Sequence, residues 1–68
     1  MKVFKERLLE QRKLNKLTQT DVARHLGISQ PSYIRYEQGR AEPSYENLVK
    51  LADLFDVSID YLLGRTEY

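Results

Sequence analysis

The chain has 68 residues, enough for one small domain, since a chain of this length buries only about 60% of its unfolded surface. It contains no cysteine and a single histidine, which excludes disulfides and metal sites built on thiolates or several imidazoles. Residues 1–7 alternate charged and apolar side chains and lack a signal-peptide core, and no run of residues approaches a membrane span. We therefore expect one cytoplasmic domain over residues 1–68 whose fold rests on packing.

The net charge of +1 conceals an uneven distribution along the chain. Residues 1–40 carry nine Lys or Arg against four Asp or Glu, a net of +5, whereas residues 41–68 carry two against six, a net of −4. A positive half can attract a polyanion, and an acidic half limits indiscriminate binding. A solvated surface with uneven charges explains the same numbers, so the charge pattern alone leaves both interpretations open.

Apolar spacing and capping residues predict five helices and no strand. A first helix over about residues 3–14 places Phe4 and Leu8 on one stripe. Three later helix starts share an apolar residue, a Ser or Thr cap, and an apolar residue four positions after the cap. They are Leu17-Thr18…Val22, Ile28-Ser29…Tyr33 and Val57-Ser58…Leu62. Pro43-Ser44 marks the start of the fourth helix, and the glycines that mark the ends of helices two, three and five are Gly27, Gly39 and Gly64.

The connection between the second and third helices is the most informative one. Residues 26–29 leave room only for a tight turn, so the two helices must cross steeply, with the small Ala23 where they touch. This pattern predicts a helix-turn-helix over residues 19–38, a shape suited to holding one helix in the major groove of DNA. The residues left for the outer face of the third helix are Gln30, Pro31, Ser32, Arg35 and Gln38.

Three stretches of this sequence together resemble the Cro and phage-repressor helix-turn-helix family of XRE-like transcriptional regulators. They are residues 17–30, LTQTDVARHLGISQ, residues 36–44, YEQGRAEPS, and residues 57–63, VSIDYLL. The similarity covers about residues 4–64, and it is specific because the glutamines, the turn glycine, the Glu-x-Gly loop and the Pro-Ser helix start all match together. The resemblance implies an all-α, compact, five-helix lambda-repressor-like domain that binds operator DNA, usually as a two-fold dimer.

The resemblance also implies roles for individual residues. Gln19 matches a glutamine that contacts a phosphate and braces the glutamine opening the recognition helix, which is Gln30 here. The amide of Gln30 can pair in a bidentate way with adenine N6 and N7. Ser32 and Arg35 match positions that face bases or the nearby backbone. The guanidinium of Arg35 can form a bidentate hydrogen bond with guanine O6 and N7, or it can only neutralise a phosphate, and both alternatives stay open.

The loop after the third helix matches a family loop whose amides and side chains grip phosphates. Gln38 is expected to reach a phosphate rather than a base, while Gly39 permits close backbone approach and Arg40 adds a cation. A simple helix end followed by a solvated arginine is the alternative. The full predicted DNA-binding set is Gln19, Gln30, Pro31, Ser32, Arg35, Gln38, Gly39 and Arg40.

Three residues depart from the family pattern. Pro31 brings no donor to a base-facing position, so it offers only shape and apolar contact, for instance with a thymine methyl. Ile34 occupies a position where a polar residue is commoner, and it packs either on the DNA backbone or on the fourth helix. Tyr33 makes the core bulkier and brings a phenol that needs water or a polar partner. Arg12 and Glu37, by contrast, match a pair that is internal to the family's domain, so we assign them a structural role.

The sequence offers no support for an enzyme. It has no Gly-rich phosphate loop after a strand and no nucleophile placed near a histidine, and its acidic residues at helical spacing are typical of solvated helix faces. We therefore expect no catalysis, cofactor, metal or small-molecule ligand.

The predicted function is a sequence-specific, prokaryotic or phage transcriptional regulator, a repressor whose third helix reads a palindromic operator in double-stranded DNA. The alternative is a protein-interaction module of the same fold, antitoxin-like or an accessory regulator, whose main partner is another protein. The aromatic-rich end, from Tyr61 to Tyr68, suits such a partner. It suits equally a homodimer contact, which the resemblance places in the last helix, about residues 59–63.

Overall fold

The computed structural model describes residues 2–68, with side chains from residue 3 onward, so residue 1 of the predicted domain lies outside the described residues. That stretch contains five helices and no strand, which confirms the predicted fold class. The helices are α1 (Lys2–Leu14), α2 (Gln19–Leu26), α3 (Gln30–Gln38), α4 (Tyr45–Phe55) and α5 (Ile59–Leu62). None of them is long and apolar enough to cross a membrane.

Local capping sets where α2 to α5 begin, as predicted. The side-chain oxygen of each cap accepts a hydrogen bond from the amide three residues later, and the four caps are Thr18, Ser29, Ser44 and Ser58. The start of α2 is a full capping box, because Asp21 also accepts a hydrogen bond, 2.9 Å long, from the amide of Thr18.

The three predicted glycines lie at or just after the ends of α2, α3 and α5. Gly27 and Gly39 terminate α2 and α3 in the left-handed region, at φ of 73° and 74°. Gly64 takes the same conformation, at φ 81°, two residues after α5 ends. α1 and α4 end without a glycine, since the left-handed residues that follow them are Lys16 at φ 57° and Asp56 at φ 55°.

One apolar core joins all five helices. α2 and α3 pack directly on each other, and α1 packs on both α3 and α5. Ala23 of α2 is 2% exposed. The buried side chains are Phe4, Leu8, Val22, Ala23, Leu26, Tyr33, Tyr36, Leu48, Leu51, Ala52, Phe55 and Leu62. Since α3 gives Tyr33 and Tyr36 to this core, its other side is left facing solvent.

A partly buried ion pair ties α1 to α3, which confirms the structural role predicted for Arg12 and Glu37. Nε of Arg12 donates to Oε2 of Glu37 at 2.5 Å, and Nη2 donates to Oε1 at 3.2 Å. The side chains of Arg12 and Glu37 are only 15% and 6% exposed. Arg12 also donates from Nη1 to the carbonyl oxygen of Leu17 at 3.0 Å, so it holds the connection between α1 and α2 as well.

The hydrogen bonds to Glu37 decide its protonation. Burial by itself raises the pKa of this carboxyl group, but hydrogen bonds from Arg12, Tyr33 and Gln19 favour the carboxylate and hold the pKa below its usual value. A carboxyl group whose pKa is lowered by folding stabilises the fold above its unfolded pKa of about 4.3. That stabilisation is lost as the pH falls through the pKa of the folded state.

We expect Glu37→Gln to lower the free energy of unfolding at pH 7 by about 3 kcal/mol, since Arg12 is left partly buried without its counter-charge. The deficit relative to wild type should narrow as the pH falls below about 4, because protonated Glu37 resembles glutamine. Urea denaturation at several pH values measures both effects.

The matched control is Glu46→Gln, which removes an exposed carboxylate paired with Lys50 at 3.3 Å and should change stability by less than about 0.5 kcal/mol. A Glu37→Gln deficit of the same size at pH 7 and pH 3 would contradict the assignment.

Candidate nucleic-acid interface

The outer face of α3 carries three of the predicted contact residues. Pro31, Arg35 and Gln38 are spaced four and three residues apart, so they lie on one side of the helix, and all three are exposed. Proline at the second helical position costs little, because an amide hydrogen there needs no intrahelical partner. The sequence therefore places this set of side chains together, on the side opposite Tyr33 and Tyr36.

The first turn of α3 adds two more predicted residues. Gln30 is exposed, and its side-chain amide makes no hydrogen bond to the part of the chain that the structure describes. Ser32 is half-buried, and its amide donates to Oγ of the cap Ser29 at 3.2 Å. The hydroxyl of Ser29 donates to Oγ of Ser32 at 2.9 Å, which leaves the hydrogen of the Ser32 hydroxyl free for an outside acceptor.

Gln19 lies at the start of α2, but it does not brace Gln30 as predicted. Its side-chain Nε2 donates instead to Oε1 of Glu37 at 3.1 Å. The physical reason is that a carboxylate accepts hydrogen bonds more strongly than a neutral amide oxygen does. Gln19 is therefore half-buried at the edge of the Arg12–Glu37 pair, with the rest of its amide left to reach outward.

Two backbone N–H groups of the loop after α3 donate hydrogen bonds within the protein. The amide of Gly39 donates to the carbonyl oxygen of Tyr36, and the amide of Arg40 donates to that of Arg35 at 2.9 Å. These bonds close the end of α3, so the prediction that the loop amides grip phosphates is wrong for these two. The exposed side chain of Arg40 remains available.

Lys5 is a member of this surface that sequence reasoning did not single out. A methyl group placed on Gly39 would lie 3.0 Å from Cδ of Lys5 and 3.8 Å from its Nζ. The side chain of Lys5 thus crosses the open side of Gly39, next to Arg40. No sequence signal identifies this contact, because it depends on how α1 packs on α3.

The positive charge of this surface is not neutralised by the protein. Lys5, Arg35 and Arg40 form no ion pair within residues 3–68, where the ion pairs are Arg7–Glu67, Arg12–Glu37, Lys50–Glu46 and Arg65–Asp60. The same stretch contains no group of three or more His, Asp or Glu side chains that could hold a metal ion. The arrangement is therefore suited to anions that arrive from outside, and phosphates fit it well.

Ile34 lies on the outer part of α3, one turn after Gln30. It is half-buried and is not among the partly buried apolar side chains that pack against the core. Of the two alternatives, packing on the buried residues of α4 is thus not observed.

The predicted dimer helix exposes less apolar surface than its sequence suggests. Leu62 is fully buried in the core, and the ring of Tyr61 lies under the guanidinium of Arg7 at 4.4 Å. Arg7 also donates hydrogen bonds to the backbone oxygens of Tyr61 and Thr66, which holds the end of the described chain against α1. Leu63 remains half-buried in a shallow depression lined by Glu42, Pro43, Tyr45, Leu48 and Leu63.

Comparison with known proteins agrees with this geometry. The family model described as Helix-turn-helix matches residues 8–62. The chain is 48% identical over 61 residues to the uncharacterized HTH-type transcriptional regulator YqaE of Bacillus subtilis, covering 90% of this chain and 53% of that protein. It is 52% identical over 62 residues to the cryptic phage CTXphi transcriptional repressor RstR of Vibrio cholerae, covering 91% and 55%. The chain thus spans about half the length of these relatives.

A solved structure gives the same result for the fold. The P22 c2 repressor, in a crystal structure with synthetic operator 9T, superposes with a TM-score of 0.87 at 31% identity. The match covers 94% of this chain and 97% of that one. The resemblance stated from the sequence is confirmed, and the chain belongs to the helix-turn-helix family, among HTH-type transcriptional regulators that include phage repressors.

Proposed function

We propose that this chain binds operator DNA and acts as a non-enzymatic, cytoplasmic transcriptional repressor, with α3 in the major groove. The observation that carries the proposal is the exposed face of α3, where the side chains of Gln30, Arg35 and Gln38 have no hydrogen-bond or ion-pair partner within residues 3–68. The repressor RstR at 52% identity and the operator-bound P22 c2 repressor at a TM-score of 0.87 support it.

The residues of this surface divide into two kinds of contact. Gln30 and Arg35 have the planar donor groups that recognise adenine and guanine edges, and Pro31 offers an apolar surface to a thymine methyl. The side chains assigned to phosphates are Gln19, Ser32, Gln38, Arg40 and Lys5, with Gly39 providing the space that Lys5 occupies.

We expect Gln30→Ala and Arg35→Ala to weaken operator binding by about 1–3 kcal/mol and to relax the preference for operator over random DNA, because each removes a base contact. Arg40→Ala serves as the matched comparison, since it should weaken binding to all sequences about equally. Titrations of labelled operator and scrambled duplexes at one salt concentration measure the ratio of the two affinities for each variant. Equal losses on both duplexes for Gln30→Ala would overturn its assignment to a base.

Salt dependence separates DNA from a protein as the main partner. If the basic face binds phosphates, log affinity should fall with log salt at a slope of about −0.9 per phosphate contacted. Lys5→Gln should make the slope shallower by about 0.9, whereas Lys50→Gln should leave it unchanged, because Lys50 pairs with Glu46 on the acidic half. If the affinity for DNA does not change with salt concentration, the protein-interaction alternative is favoured.

We further propose that the chain acts as a homodimer through the apolar surface beside α5. Tyr45 and Val49 lie one turn apart on α4 and are 89% and 45% exposed, and Tyr45 lines the same depression as Leu63. A patch that two copies share is what a two-fold interface requires. The partly exposed Leu63 keeps the end of α5 in this interface, while the buried Leu62 takes no part.

We expect Tyr45→Ser to weaken self-association at least about tenfold, because a large exposed aromatic residue supplies much of the energy of an interface. Tyr68→Ser is the matched control, since Tyr68 is about equally exposed, at 87%, but does not line the depression that Tyr45 and Leu63 share. Sedimentation equilibrium compares the variants. A loss of dimer in Tyr68→Ser but not in Tyr45→Ser would move the contact to the end of the chain.

A further inference from the structure

We infer that the buried hydroxyl of Tyr33 and the carboxylate of Glu37 position the side-chain amide of Gln19 for contact with a phosphate. Tyr33 is then a positioning residue for DNA binding, although it does not itself contact the DNA. This inference rests on the proposed function. It extends the proposed function by connecting the core beneath α3 to a DNA contact made by α2.

The geometry of Glu37 carries the inference. Its Oε2 accepts hydrogen bonds from Nε of Arg12 and from the hydroxyl of Tyr33, while its Oε1 accepts from Nη2 of Arg12 and from Nε2 of Gln19. Four donors from three helices therefore fix both oxygens of one carboxylate. The position of Oε1 in turn fixes where the Gln19 amide lies.

The consequence for Gln19 follows from the chemistry of an amide. One N–H of its Nε2 is committed to Glu37, so the second N–H and the carbonyl oxygen are held in a defined direction. An unrestrained glutamine loses rotamer freedom when it is immobilised by a ligand. Because Glu37 restrains Gln19 before DNA arrives, binding costs less entropy.

Tyr33 can be tested apart from its packing. Its ring is fully buried and meets the ring of Tyr36 edge to face, with centroids 6.1 Å apart, so the ring belongs to the core. Only the hydroxyl reaches Glu37. Tyr33→Phe keeps the ring and removes one of the four hydrogen bonds that orient the carboxylate.

A double-mutant cycle on DNA affinity tests the coupling between the two residues. Tyr33→Phe should weaken DNA binding about three- to tenfold in the wild-type background, the size expected for one lost hydrogen bond. In the Gln19→Ala background the same substitution should change affinity less than about 1.5-fold, because the group it positions is gone. Equal factors in both backgrounds would mean a general structural effect and would overturn the inference.

Tyr36→Phe is the matched control. Tyr36 is a buried tyrosine on the same helix, but its hydroxyl accepts a hydrogen bond from Nδ2 of Asn47 at 3.2 Å and has no bond to Glu37. Tyr36→Phe should leave DNA affinity unchanged. A loss of affinity equal to that of Tyr33→Phe would also overturn the inference. Urea denaturation of each variant confirms that all are folded at the assay temperature.

A measurement without DNA separates this inference from the proposed function. In the ¹⁵N spectrum of the free protein, Tyr33→Phe should shift the side-chain amide resonances of Gln19, and Tyr36→Phe should not. An unchanged Gln19 resonance in Tyr33→Phe contradicts the positioning role even if DNA binds well. A shifted resonance in a protein that binds no DNA would instead contradict the proposed function alone.

Discussion

The carboxylate of Glu37 is the group on which the rest of the structure depends. It lies at the end of α3, is nearly buried, and accepts hydrogen bonds from α1, α2 and its own helix. A charge in such a place is costly unless its hydrogen bonds are satisfied, and here both oxygens are fully used. Arg12 supplies the counter-charge and also holds the backbone at Leu17, just before α2 begins. One ion pair thus fixes how three helices meet.

The outward face of α3 follows from that constraint. Tyr33, Tyr36 and Glu37 commit one side of the helix to the interior, so a helix with 3.6 residues per turn must present Pro31, Arg35 and Gln38 to solvent. The α2–α3 turn fixes the helix at its start and the left-handed Gly39 at its end. The helix backbone that carries the surface assigned to DNA is therefore held in place before DNA binds, which limits the entropy lost on association.

The fold could be predicted from sequence because its determinants are local. A cap such as Thr18 and a turn glycine such as Gly27 act within one or two helical turns, so spacing alone reveals them. The features that were missed depend on tertiary packing: Gln19 finds its acceptor 18 residues away, and Lys5 reaches Gly39 only because α1 lies beside α3. The pattern around Leu62 shows an apolar residue but does not say whether the core or a second subunit covers it.

We propose that the exposed face of α3 reads a defined DNA sequence, and that the acidic half of the chain does not contribute to that contact. The direct test is selection of bound duplexes from a random DNA pool, followed by sequencing. We expect enrichment of a two-fold symmetric sequence whose half-sites lie about 34 Å, one turn of DNA, apart. A bound pool with the same composition as the input pool would contradict it.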